Sequence, residues 1–251
     1  MKKIWIIGSS SGIGLQLLKL SLEHGFTVIA SSRNASSAEE LLKLKSIYKN
    51  NLHLLDIDVS NSQSTTKCVD EAFDILKDLD ICFFNAGVYE AMNVEQWDIS
   101  NFESMINTNY LGAVRIIKPL FNYLKKQNKD SRIILNASLS SYFGLPYGGA
   151  YSASKAALVN FAQAIQPELQ RKNIYIQIIN HGFVKTRLTA KNDFEMPQLM
   201  EVNYAAKKIF EGLNKPYKFE ISFPFVLSKF LRLLSLLPYK WSFSICKKFL
   251  K

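Results

Sequence analysis

Cysteine is scarce in this chain, with three in 251 residues, and the three stand far apart at Cys68, Cys82 and Cys246. That spacing supports neither a disulfide framework nor a thiolate metal site, and the three histidines do not gather near them. A reducing compartment and no structural metal are the expectation. Long apolar runs are missing too. Met1-Lys2-Lys3 followed by Ile4-Trp5-Ile6-Ile7 begins like a secretory signal, yet Gly8 and three serines end the run where an h-region needs about seven to fifteen residues. A buried first strand is expected instead. Near the other end, Lys229 and Arg232 break the apolar stretch well short of the ~20 residues of a spanning helix. Internal repeats, low-complexity tracts and interdomain linkers are absent, so the length reads as one domain with an appendage.

Acidic residues are in deficit, 21 against 31 Lys and Arg, for a formal charge of +10. The excess is local. From Lys215 to Lys251 eight basic residues face one acid, Glu220, which accounts for +7 of the +10. The rest of the chain is near neutral and no DNA- or RNA-binding signature accompanies the charge, so nucleic acid is not an expected partner.

What is present is alternation. Short apolar runs at Lys3–Ile7, Thr27–Ser31, Leu52–Ile57, Ile81–Phe84, Arg132–Ala137, Tyr175–Ile179 and Phe219–Phe223 read as strands. Helical patterns fill the gaps: Ile13–His24, Ala38–Tyr48, Ser62–Leu76, Asn101–Gln127, Ala150–Arg171 and Gln198–Gly212. Ser60 or Asn61 suits the cap of the third helix, and Gly25 suits a left-handed C-terminal position. The expected fold class is α/β, a doubly wound parallel sheet. Such a sheet binds ligands outside the carboxyl ends of its strands, where strand order reverses, so chemistry should follow the strands.

It does. After the first strand, Gly8-Ser9-Ser10-Ser11-Gly12-Ile13-Gly14 leads into a helix whose free N–H groups and partial positive charge suit a phosphate. Its G-x-x-x-G-x-G spacing departs from the usual dinucleotide fingerprint, and a plain structural loop is the competing reading. After the second, Ser31-Ser32-Arg33 offers no carboxylate for a ribose hydroxyl but an arginine able to pair with a 2′-phosphate, which favours NADP(H) over NAD(H). A solvated surface arginine is the alternative. Asp58-Val59 follows the third strand as an adenine contact or a turn. Asn85-Ala86-Gly87 follows the fourth, small enough for a ligand to approach the backbone. Tyr151 and Lys155 lie four apart on a helix, one face sharing one electrostatic environment. A cation within about 4–6 Å lowers a phenol's pKa, so Tyr151 is a candidate general acid or base. Ser138, at the end of the fifth strand, is placed to hydrogen-bond a substrate oxygen.

Taken together, the glycine turn Gly8/Gly12/Gly14, Asp58-Val59, Asn85-Ala86-Gly87, Asn107-Thr108-Asn109-Tyr110, Ser138 and Tyr151 with Lys155 resemble the short-chain dehydrogenase/reductase family over roughly residues 3 to 190. The resemblance implies a Rossmann-type sheet and a tetrad of Asn109, Ser138, Tyr151 and Lys155. In it Tyr151 transfers the proton, Lys155 lowers its pKa and reaches the nicotinamide ribose, and Asn109 holds a water linking Lys155 to solvent. It further implies cofactor contacts from Gly8, Ser10, Ser11, Gly12, Ile13, Gly14, Arg33, Asp58, Val59, Asn85, Ala86, Gly87, Tyr151, Lys155 and Thr186. Three departures stand out: Ile7 where the family has a threonine, Ala137 in place of a serine, and His181 where proline precedes Gly182. His181 reads as a turn residue with a local hydrogen bond, with a catalytic imidazole as the alternative.

The expected division is a catalytic domain over 1–225 and a basic amphipathic tail over 226–251. Arg187–Met200, carrying Leu188, Phe194, Met196, Pro197, Leu199 and Met200, reads as a lid for an apolar ligand or as simple packing. In the tail, Ser228, Lys229, Arg232 and Ser235 form one polar stripe, and past Pro238 the lysines separate from Trp241, Ile245 and Phe249. An amphipathic pair lying in a membrane interface fits this pattern, with a dimer interface as the competing explanation. The expected protein is an NADP(H)-dependent oxidoreductase interconverting a carbonyl and an alcohol on an apolar, lipid-like substrate. It is expected in the cytoplasm, peripheral to the inner face of a membrane, as a homodimer or homotetramer. The alternative is an NADP(H)-sensing regulatory protein with a membrane-contacting tail.

Overall fold

The strands are short, nearly continuous apolar runs, and because successive side chains point to opposite faces each strand offers apolar side chains to both faces of a sheet. A computed structural model of the chain describes residues 2–250; Met1 and Lys251, the latter counted among the tail lysines, lie outside the described residues. Seven parallel strands form one sheet in the order β3-β2-β1-β4-β5-β6-β7. They are β1 (Lys3–Ile7), β2 (Thr27–Ser32), β3 (Leu52–Asp56), β4 (Ile81–Phe84), β5 (Ser131–Asn136), β6 (Ile174–His181) and β7 (Glu220–Phe223).

Helices cover both faces. On one, Trp5, Ile7, Cys82, Phe84, Ile133 and Leu135 pack against α3 (Ser62–Leu76), α5 (Gly112–Leu124) and α6 (Gly149–Gln170). On the other, Ile4, Ile6, Val28, Ala30, Phe83 and Ile134 pack against α1 (Gly12–Glu23), α2 (Glu39–Ile47) and α7 (Val202–Leu213). Asn61 caps α3 as expected, its side chain accepting from the Ser64 N–H at 2.9 Å. Gly25 has φ +76°, the left-handed conformation anticipated after α1.

Two helical stretches differ from the sequence reading. The long helix expected over 101–127 is α4 (Ile99–Met105), a π-helical turn over Ile106–Leu111, and then α5. The wide turn rotates Asn109 into the protein, where it is fully buried. The helix expected from Gln198 begins only at Val202, because the Met200 backbone is extended and pairs with Val184 and its neighbours.

The tail forms α8 (Phe225–Leu236) and α9 (Tyr239–Cys246). Ser228, Leu231 and Leu234 turn inward, and Leu231, Leu234 and Cys246 pack around Leu139. The polar stripe read from sequence is therefore divided: Ser228 is buried, Arg232 pairs with Glu220, and Lys229 and Ser235 face solvent. Among the described residues no helix is long and apolar enough to cross a membrane.

Candidate active site

Strand order reverses between β1 and β4, and a cleft of about 1560 Å³ opens there along the carboxyl edge of the sheet. Its first wall is the glycine turn. Gly8 and Gly12 have φ of +89° and +56°, the region that favours glycine. A Cβ on Gly8 would meet the Ala86 backbone N at 2.6 Å, and one on Gly14 would meet the Gly8 carbonyl oxygen at 2.1 Å, so only glycine lets α1 start this close to β1 and β4. Ser11 caps α1 with no side-chain hydrogen bond to its N–H groups, leaving the first-turn donors facing the cleft.

Ile7 withdraws the hydroxyl that would brace this turn, and amides take over. Asn85 Nδ2 donates to the Gly8 carbonyl at 2.7 Å, and Asn136 Nδ2 donates to Asn85 Oδ1 at 2.8 Å. Arg187 donates to Ser11 Oγ at 2.7 Å, which brings a cation that sequence reasoning passed over beside the turn. Ser10, Ser11, Gly12, Ile13, Arg33, Asp58, Val59, Asn85, Ala86, Gly87 and Thr186 also line the cleft. Asp58 is held by Ser60, whose hydroxyl and N–H both donate to it, and its carboxyl lies below the usual range for that reason, with Arg33 and Arg115 adding attraction.

Ser138, Tyr151 and Lys155 converge further along. Ser138 Oγ accepts from the Ser140 N–H at 3.2 Å and the Ser140 hydroxyl at 3.1 Å, and the Ser138 side chain lies beside the Tyr151 phenol, whose pKa it lowers. Lys155 Nζ lies 5.7 Å from the centre of the Tyr151 ring and donates to the Asn136 carbonyl at 2.6 Å. The sequence reading had the lysine pull the phenol down. Burial dominates instead: it pushes Tyr151 up to about 12, with only the Ser138 side chain acting the other way, and it pulls Lys155 down to about 8.

Asn109 stands one layer behind. It exchanges hydrogen bonds with the Val88 backbone at 2.8 and 3.0 Å and donates to Ser154 Oγ at 2.9 Å. A Cβ on Gly87 would lie 3.2 Å from Asn109 Oδ1 and 3.7 Å from Lys155 Nζ, so Gly87 is the gap through which the two approach each other. His181 lines the cleft and its Nδ1–H donates to the Gly182 carbonyl at 2.7 Å, the local bond expected of it. Desolvation, aided by the Lys155 charge, pulls the imidazole down to about 4, so it is neutral with Nε2 as an acceptor.

The lid closes the substrate end through contacts that sequence does not announce. Phe194 sits 6.0 Å from Tyr147 and 6.1 Å from Phe183, measured between ring centres. Tyr89 packs edge-on against Tyr151 at 4.9 Å and donates to Asn192 at 2.7 Å, and Lys191 pairs with Glu90 at 2.6 Å. Val226, Phe230 and Phe249 of the tail complete this end.

Residues 2–197 match the short chain dehydrogenase family. An uncharacterized oxidoreductase of Myxococcus xanthus is 28% identical over 233 residues, covering 93% of this chain and 91% of that protein. Uncharacterized oxidoreductase YusZ of Bacillus subtilis is 31% identical over 190 residues, covering 74% and 67%. Among solved structures, a short chain dehydrogenase of Burkholderia cenocepacia in complex with NADP superposes with a TM-score of 0.83 at 19% identity over 100% of both chains.

Proposed function

Because this chain belongs to the short chain dehydrogenase family, we propose that it interconverts a carbonyl and an alcohol on an apolar substrate, with NADP(H) as its cofactor. The observation that carries this reading is one cleft with an uncapped helix start behind a glycine turn at one end and Ser138, Tyr151 and the buried Lys155 converging at the other. The residues fit the dinucleotide: the α1 N–H donors and Arg187 suit a pyrophosphate, and Arg33 suits a 2′-phosphate. The NADP-bound Burkholderia structure supports the same choice. The cofactor, when bound, supplies the hydride.

The chain's own residues handle the proton. At neutral pH Tyr151, its pKa pushed up to about 12, is a phenol, and it gives its proton to the oxygen of the carbonyl being reduced. Ser138 Oγ stabilises charge on that oxygen, and Lys155, with a pKa of about 8, remains a cation beside it. Phe183, Phe194 and the tail side chains exclude water from the substrate end.

The decisive test follows NADPH absorbance with a panel of apolar ketones and aldehydes. Turnover of at least one is expected, with Tyr151→Phe losing about 10²–10⁴-fold in kcat while still binding NADPH. NADPH binding without turnover across the panel, or full activity in Tyr151→Phe, would instead favour a nucleotide-sensing regulator.

The tail supports delivery of that substrate from a lipid surface. Phe225, Leu233, Leu236, Tyr239, Trp241 and Phe243 are all more than half exposed, with Lys229, Lys240, Lys247 and Lys248 around them, and α8 together with Lys248–Leu250 borders the cleft.

A further inference from the structure

Ser138 heads a short turn, Leu139–Ser141, and a side chain held by a turn is only as well placed as the turn itself. Two grips hold it. From β6, the fully buried Asn180 accepts through Oδ1 from the Ser138 N–H at 3.2 Å and from Ser141 Oγ at 3.3 Å, spanning both ends of the turn. From α8, Leu231 and Leu234 pack on Leu139. The grips are joined by charge. Asn180 Nδ2 donates to Glu220 Oε1 at 2.7 Å, Glu220 also accepts from the Tyr142 hydroxyl, and Arg232 pairs with Glu220 while donating to Tyr142 Oη at 3.1 Å.

The direction of the amide is the key. A carboxylate only accepts, so Glu220 must face the Asn180 NH₂ group, which turns Oδ1 toward Ser138. Arg232 in turn holds Glu220 in place, its guanidinium 4.7 Å from the centre of the Tyr142 ring. A displaced Glu220 would leave the amide free to reverse and set NH₂ against the Ser138 N–H.

We infer that Asn180, oriented by the Glu220–Arg232 pair, is a positioning residue for Ser138, and that α8 is thereby part of the catalytic apparatus. The inference rests on the proposal that Ser138 binds the substrate oxygen.

Hydrogen exchange and a double-mutant cycle test it. In the full chain, Arg232→Met should speed exchange in a peptide covering 137–143 while leaving α1 and the glycine turn protected, and Asn180→Ala should do so more strongly. With NADPH and phenanthrenequinone as the probe dicarbonyl, Asn180→Ala should lower kcat about 100-fold without changing NADPH affinity. The same substitution in a Ser138→Ala background should cost little more, because its effect passes through the serine. Unchanged exchange in both variants overturns the inference, whatever the turnover. Additive losses in the cycle also overturn it, while leaving Ser138's role intact. Full activity of Ser138→Ala overturns the role of the serine itself, and the inference with it.

Discussion

Lys155 is 4% exposed in a wall built largely from backbone and apolar side chains, and an ammonium there loses its hydration for a single carbonyl partner. Its pKa falls from 10.5 to about 8, so the folded state holds the proton less tightly than the unfolded chain. Between those values the unfolded chain binds more protons, and stability rises with pH; below about pH 8 the full penalty applies. Lys155→Met should therefore stabilise the fold at pH 7 by about 2 kcal/mol, after allowing for the lost Asn136 bond, and the gain should vanish by about pH 10.5 in thermal melts. Activity moves the other way. In the proposed carbonyl reduction Tyr151 acts protonated and Lys155 charged, so kcat should hold below pH 8 and decline above it as the lysine loses its proton. A flat profile through pH 9 would remove Lys155's charge from the reaction. Tyr151 and Lys155 were legible because four residues on a helix fix their separation wherever the helix lies. Asn180 and Arg187 were not, since their partners Ser138 and Ser11 are remote in sequence and only the sheet edge brings them together.

At the scale of elements, strand ends carried most of what could be read. Asn85-Ala86-Gly87 and Asp58-Val59 follow strands whose register sets them on one edge, and short apolar runs between helical patterns were sufficient to locate those strands. The π-helical turn was illegible: its sequence, Ile106-Asn107-Thr108-Asn109-Tyr110-Leu111, continues the helical pattern, and the extra residue is imposed by Asn109 closing on Val88. The glycine turn is the most constrained element. Gly14→Ala places a methyl 2.1 Å from the Gly8 carbonyl, a contact between two backbones with no flexible atom to yield. A destabilisation of about 3 kcal/mol and loss of NADPH binding are expected from chemical denaturation and fluorescence titration. The lid is the least constrained. Phe194 is fixed by ring contacts to Tyr147 and Phe183, so Phe194→Ala should raise KM for bulky apolar carbonyls about tenfold, roughly the loss of one buried aromatic contact. NADPH affinity should be unaffected, and a parallel fall in that affinity would mean that the lid organises the cofactor end instead.

Across the whole molecule, charge and apolar exposure are concentrated where the chain ends its sheet. The two core clusters use almost every apolar face that the strands provide, whereas α8 and α9 turn inward only Leu231, Leu234, Cys246 and two serines. What remains outside is large: Leu236 is 81% exposed, Phe225 and Tyr239 are 72%, and Trp241 is 60%. A folded protein leaves so many aromatic and leucine side chains together in water only at a cost of about 25 cal/mol per Å² relative to covering them. Under the proposed membrane contact, anionic lipid would cover them and attract each nearby lysine by about 1 kcal/mol, while a second copy of the chain would bring cation against cation. Full-length protein is therefore expected to float with vesicles containing phosphatidylserine, with the fluorescence of Trp241 shifting to the blue. Leu236→Glu with Trp241→Glu should abolish flotation without lowering the melting temperature, because neither side chain belongs to the buried cluster. Raising the salt concentration should weaken binding by screening the lysines. Should the protein instead ignore vesicles and sediment as a dimer that the same substitutions dissociate, the exposed face would be a subunit interface and the substrate would reach the cleft from water.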